Sequence, residues 1–226
     1  MAQQAILPSV VRGKWFPMSF EEFVEWAPDE GQAEWVDGEG ISYVSNSPRH
    51  EQILQFLNLL FQGFLRVHGL GEVFTSTVIM HLRSRPSGRM PDLFVVLNEN
   101  SNRIERRWYE GPADLALEIL SESGVERDRY EKKREYEAEH VPEYLIVDGR
   151  EDGRVFEWNW LDPDGVYQEI PPDAAGRYHS RVLAGFWIDP TWLTQDPLPD
   201  PNQCLLVIAP AAVEQYFRRL LGDPPK

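Results

Sequence analysis

Two acids and a lysine stand out by type and by place. Asp92 follows Pro91 and opens the apolar run Leu93-Phe94-Val95-Val96-Leu97. Glu118 interrupts a second run, Leu115-Ala116-Leu117-Glu118-Ile119-Leu120, and Lys132 follows on a charged stretch of helical character. A carboxylate inside a continuous apolar run is costly to bury unless it is paired or holds a metal. Two such runs with a lysine downstream therefore point to a divalent-metal site with an assisting cation. Hard cations such as Mg²⁺, with Mn²⁺ as the alternative, take carboxylate, carbonyl and water oxygens. Asp92, Glu118 and the backbone carbonyl of Ile119 make the expected ligand set. An ion held this way activates water and neutralises charge on a scissile phosphate. Lys132 would orient that water or stabilise the transition state.

The elements that must position these groups are short. Both apolar runs suit strands buried on two faces. Alternation in the second puts Leu115, Leu117 and Ile119 on one face and Ala116, Glu118 and Leu120 on the other. If Asp92 starts a central strand and Glu118 lies near the end of an antiparallel neighbour, the two carboxylates converge. Arg127 to Glu139 reads as a charged helix that stops before Pro142. Helical spacing sets Asp128, Lys132 and Tyr136 on one stripe, with Arg129, Lys133 and Arg134 as a solvated face and Lys133 the fallback for a register error of one. Tyr144 to Val147 is a further buried strand. Strand, helix and strand over 113–148 argue for an α/β core with at least one crossover.

Around that core, Ser19 and Glu22 form a capping-box pattern. Glu34 to Val44 reads as a hairpin turning at Asp37-Gly38. Pro48 opens a longer helix, with Ile53, Leu54, Leu57, Leu60, Phe61, Phe64 and Leu65 at helical spacing and Gly69 as its stop. Val73 to Leu82 alternates as one strand, and Arg83 to Arg89 reads as a polar turn. Val155 to Trp160 and Val166 to Ile170 read as a solvent-facing hairpin. Phe156, Trp158 and Trp160 share one face of it, which suits an oligomer surface. Val182 to Ile188 would add a last strand. The prolines between Asp196 and Pro201 end the core domain, so the expected units are residues 1–196 and a linker-plus-helix extension, 197–226.

Composition limits the function classes. At 226 residues, 42% hydrophobic and 12% aromatic, the chain suits one folded domain with an extension. A net charge of −15 argues against broad nucleic-acid affinity. Residues 83–134, which hold the candidate site, carry 11 basic and 10 acidic residues, against 11 and 27 elsewhere. The site region is thus permissive for a phosphate substrate. No run is long enough to span a membrane, the first residues do not read as a secretory signal, and Cys204 alone cannot form an internal disulfide. These features suit a cytoplasmic protein. His68, His81, His140 and His179 show no zinc-ligand spacing, and there is no phosphate-loop lysine motif or nucleophile elbow.

Pro91-Asp92 followed by Glu118-Ile119-Leu120 resembles the PD-(D/E)xK nuclease motif, with Leu120 where the motif lysine stands. The wider pattern resembles the Uma-type restriction endonucleases, in which the lysine has moved to the following helix. The matching stretches are Glu34 to Glu39, Ser47 to His50, Pro91-Asp92, Pro112 to Ser121, Asp128 to Tyr136 and Val141 to Asp148, within roughly residues 15 to 195, the size of a full domain. The resemblance implies a restriction-endonuclease-like mixed sheet flanked by helices and Mg²⁺-dependent hydrolysis of DNA phosphodiesters, commonly by a dimer. It places Asp92 and Glu118 as metal ligands, Lys132 as the migrated lysine and Glu34 as an extra acid that joins the catalytic site and helps position the metal. His50 falls at a recurring helix start without an assigned role. Ser121-Glu122-Ser123-Gly124 departs from the small-residue stretch usual after the glutamate strand and adds an acid near the site.

A rival reading belongs to another class: a nuclease-like domain without activity that binds protein partners or oligomerises. The acidic net charge and the aromatic hairpin favour it. Convergence of Asp92, Glu118 and Lys132 favours the enzyme, whereas an arginine filling the cleft favours the module. RNA as substrate would use the same site.

Overall fold

The computed structural model describes residues 14–27, 33–42, 47–83, 86–120, 127–148, 150 and 156–222. The N-terminal residues read above and the Ser121 to Gly124 stretch lie outside them.

The chain opens with β1 (Phe16–Pro17) and α1 (Phe20–Trp26), whose capping box forms as read: Glu22 N–H meets Ser19 Oγ at 3.1 Å and Ser19 N–H meets Glu22 Oε2 at 2.8 Å. The hairpin β2 (Ala33–Val36) and β3 (Glu39–Ser42) turns at Asp37 and Gly38, with φ of 51° and 88°. Two successive positive φ values are what a type I′ turn requires. α2 (Pro48–His68) is capped by Ser47 and stops at Gly69. Its apolar stripe, including Ile53, Leu57, Leu60, Phe61 and Phe64, is fully buried. Each such side chain contributes roughly 1.5–3 kcal/mol by leaving water.

The expected single strand over Val73 to Leu82 is two strands in two different sheets, β4 (Gly71–Thr75) and β5 (Ile79–Leu82). Thr77 and Val78 N–H both bond back to the Thr75 carbonyl, which breaks the run. The expected polar turn before Met90 contains a strand, β6 (Ser87–Arg89), and it is buried. β7 (Leu93–Leu97), β8 (Trp108–Glu110) and β9 (Leu115–Ile119) follow. The charged helix begins as a π-helical stretch, Arg127–Lys132, and continues as α3 (Lys133–Ala138). β10 (Glu143–Val147), β11 (Phe156–Leu161), β12 (Tyr167–Glu169), β13 (Tyr178–His179) and β14 (Trp187–Ile188) complete the strands, and α4 (Pro201–Ile208) and α5 (Pro210–Leu220) the helices.

Two mixed six-stranded sheets result. One runs β1-β3-β2-β6-β5-β8 and the other β12-β11-β10-β9-β7-β4. In the second, β9 and β10 are parallel and joined through α3, the crossover expected from sequence, and β7 is antiparallel to β9. The face bearing Leu115, Leu117 and Ile119 packs with Leu93, Val95 and α2. Ala116, Leu120, Tyr144 and Ile146 sit in a separate cluster with Tyr136.

The β11–β12 hairpin is not solvent-facing on its aromatic side. Trp158 and Phe156 are buried beneath Leu183 and Phe186, and Arg181 lies 3.6 Å over the Trp160 ring. That face is spent inside the molecule, and the strand expected over Val182 to Ile188 shrinks to Trp187–Ile188. The segment after Pro197 folds back, with Cys204, Leu205, Ile208 and Val213 joining the same core as α2. Gly63 makes room for it, since a Cβ there would stand 2.7 Å from Leu205 Cδ2. No helix among the described residues is long and apolar enough to cross a membrane.

Candidate active site

The β7–β9 register sets Leu93 opposite Leu117, which carries Asp92 to the position facing Glu118. The Ile119 N–H donates to Asp92 Oδ2 at 2.7 Å. His50 Nε2 lies 3.2 Å from the same oxygen, and because a carboxylate only accepts, the ring nitrogen donates. Glu118 emerges on the β9 face opposite Leu117, as alternation dictates. Its Oε1 accepts from Lys132 Nζ at 2.8 Å and from Tyr136 OH at 3.2 Å.

Lys132 is 2% exposed, on the stripe that helical spacing separates from the solvated face of Arg129, Lys133 and Arg134. Its ammonium also meets Glu34 Oε1 at 2.8 Å and Asp128 Oδ1 at 3.3 Å. The stripe of Asp128, Lys132 and Tyr136 therefore turns inward as a unit. Lys133 goes elsewhere, to Glu157 Oε1 at 2.7 Å, and Arg129 joins it on Glu157. Glu34, on β2 of the other sheet, reaches Lys132 with one oxygen and Arg89 Nη1 with the other at 2.7 Å. Arg89 in turn donates from Nε to Glu135 Oε2 at 3.0 Å, and Ser87 Oγ donates to Glu135 Oε1.

Four buried carboxylates, Glu34, Glu118, Asp128 and Glu135, thus pair with two basic side chains, Lys132 and Arg89, and a fifth, Asp92, lies near enough to act on Glu118. Glu118 responds to its burial first and to these charges second. Burial pushes its carboxyl up, Lys132 opposes, and the charges of Asp128 and Asp92 add to the rise, which reaches about 8. Burial and the Glu118 charge also hold the Tyr136 hydroxyl well above its usual range. At His50, burial lowers the imidazole pKa, but the hydrogen bond to Asp92 and its charge, with Glu51 and the Ile119 backbone, raise it overall.

The donor set suits a hard divalent ion. No three His, Cys, Asp or Glu side chains among the described residues form a ready cage. Two carboxylates and a carbonyl, completed by water, is nonetheless the way Mg²⁺ is commonly held. Such an ion would offset the burial and the neighbouring charges that together raise Glu118.

Asp92, Glu118, Lys132 and Glu34, all singled out from sequence, are brought together with the Ile119 backbone, and Glu122 lies outside the described residues. Glu34 has both oxygens in ion pairs. Arg89, Ser87 and Glu135 were missed. Ser87 and Arg89 alternate onto one strand face and Glu135 lies one turn beyond Lys132, but nothing local links them.

The model of a family named Uma2, described as "Putative restriction endonuclease", matches residues 20–191. The crystal structure of a "putative nuclease belonging to DUF820" from Anabaena variabilis shares the fold, with a TM-score of 0.62 at 15% identity, over 79% of this chain and 98% of that one. No curated protein matches the sequence.

Proposed function

The chain belongs to the Uma2 family of putative restriction endonucleases, and from that premise we propose that it is a metal-dependent endonuclease hydrolysing DNA phosphodiester bonds. The observation that carries this reading is the meeting of Lys132 Nζ with Glu118 Oε1 at 2.8 Å, beside an Asp92 that faces Glu118 across two antiparallel strands. Asp92, Glu118 and the Ile119 carbonyl would hold Mg²⁺ or Mn²⁺. Bound there, the ion supplies Lewis-acid polarisation of the phosphodiester.

The remaining roles belong to the chain. Lys132 keeps its proton at Nζ and places a positive charge where charge grows on the phosphorus oxygens. Glu34 acts through Lys132, pinned on its far side by Arg89, and is a positioning residue. Tyr136 fixes the rotamer of Glu118. Water adds to phosphorus as the P–O bond to the leaving sugar breaks, and the water's proton ends on the departing oxygen. A dimer would let two such sites cut both strands, and sedimentation with and without a DNA duplex tests that.

One observation favours the second reading, an inactive protein-binding module. Asp92, Glu118 and Lys132 are each no more than 3% exposed, and a buried arginine, Arg89, stands on the Glu34 side. Arg89 is committed to Glu34 and Glu135, however, and no hydrogen bond joins it to Asp92 or Glu118. The test is incubation of supercoiled plasmid, single-stranded DNA and RNA oligonucleotides with Mg²⁺ or Mn²⁺, beside Glu118→Ala. Metal-dependent nicking of plasmid that the variant loses supports the endonuclease. Cleavage of RNA alone moves the substrate class, and equal background from both proteins supports the module.

A further inference from the structure

We propose that His50 is a positioning residue of this site: its Nε2 proton fixes Asp92 so that the Asp92 carboxylate and the Ile119 backbone present themselves together to a divalent cation. The inference rests on the metal-dependent reading above.

Two donors from different elements converge on one oxygen of Asp92. The Ile119 N–H comes from β9 at 2.7 Å, and the His50 ring comes from the first turn of α2 at 3.2 Å. Together they oppose rotation of the carboxylate about its last bond. Ligand carboxylates held by such outer hydrogen bonds bind metal better because their orientation is settled in advance.

The carrier of His50 is rigid. α2 spans 21 residues, and its start is fixed by Ser47, whose Oγ accepts from the His50 N–H at 3.2 Å. The neighbouring Arg49 grips the carbonyls of Leu193 and Gln195 at 2.7 and 3.0 Å, tying the helix start to the segment that leads into the C-terminal helices. The side chain itself is 5% exposed. Its Nδ1 is buried with no hydrogen-bond partner among the described residues. A buried polar nitrogen left this way costs about 1–3 kcal/mol, a cost set against the donor that Nε2 supplies to the buried Asp92 carboxylate. The ring is thus committed through Nε2, on the side of Asp92 and the Ile119 backbone.

The test is titration of the full chain with Mn²⁺ by calorimetry, with unfolding midpoints measured in parallel. His50→Leu, which keeps volume and loses the donor, is expected to weaken Mn²⁺ binding about 10- to 100-fold and to lower the midpoint modestly, because the buried Asp92 carboxylate loses one donor. His50→Gln, which restores a donor, is expected to recover most of the affinity. Should His50→Leu fail to fold, His50→Ala takes its place. Asp92→Asn separates the two claims. If Asp92→Asn binds weakly while His50→Leu binds as the wild type does, the inference about His50 is overturned and the metal reading stands. A His50→Gln variant as weak as His50→Leu overturns the donor role. If the wild type binds no Mn²⁺, or Asp92→Asn binds it equally well, the metal reading fails and this inference goes with it.

Discussion

Glu118 and Glu143 stand on adjacent parallel strands of one sheet, both buried, on opposite faces. Glu143 projects toward the large apolar core and, among the described residues, is met by neutral donors: Ser180 Oγ at 2.8 Å, Trp158 Nε1 at 3.1 Å, Val182 N–H at 3.1 Å and the Arg181 N–H. Glu118 projects to the other face and meets a lysine and a tyrosine, with Asp92 and Asp128 near enough to raise its pKa. Burial raises both carboxyls. The difference lies in who surrounds them. Glu143 is an acceptor that ties the 180–182 turn to the sheet, and every contact it makes serves the fold. Glu118 sits among like charges, an arrangement that costs stability and has its use where a cation or substrate arrives.

The comparison is broken most severely by exchanging charge for shape. Glu118→Gln is expected to lower metal-dependent nicking about 1000-fold while leaving the urea midpoint unchanged or raised, because it removes a poorly compensated buried charge. Lys132→Met leaves Glu34, Glu118 and Asp128 without their shared cation and is expected to cost about 3–5 kcal/mol in urea unfolding at pH 8. The cost should shrink at pH 6, where Glu118 keeps its proton. Glu143→Ala removes the acceptor of the buried Trp158 Nε1–H and Ser180 Oγ–H and of the part-buried Arg181 and Val182 N–H groups and is expected to cost about 3 kcal/mol, with Mn²⁺ affinity in calorimetry unaltered.

A further expected effect is a slope in pH. The Glu118 carboxyl is raised from its ordinary 4.5 to about 8 in the folded chain. The unfolded chain therefore gives up that proton first, and the contribution of Glu118 to stability falls as pH rises from about 5 to about 8. Unfolding midpoints of wild type and Glu118→Gln across that window should show a flatter curve for the variant. Parallel curves would mean that Glu118 does not carry the raised pKa.

The site acids were legible because a charge inside an apolar run contradicts its surroundings. Glu118 broke β9, Asp92 opened β7, and the spacing of Asp128, Lys132 and Tyr136 marked an inward stripe. Glu143 was not legible, since it precedes the strand read over Tyr144 to Val147 and its donors lie 15 to 39 residues away. Arg89 hid in a Gly- and Pro-bearing stretch, with Glu34 and Glu135 some 50 residues to either side. The aromatic hairpin misled for a related reason. Phe156, Trp158 and Trp160 announced an apolar face, but the residues that cover it, Leu183 and Phe186, come from an irregular segment without periodicity.

The most direct test of the central claim is supercoiled-plasmid nicking with Mn²⁺ by three proteins side by side: wild type, Glu118→Gln and Glu143→Gln. The account predicts nicking by wild type and Glu143→Gln and its loss in Glu118→Gln, with the Glu118→Gln protein still folded. Nicking by Glu118→Gln at the wild-type rate would contradict it.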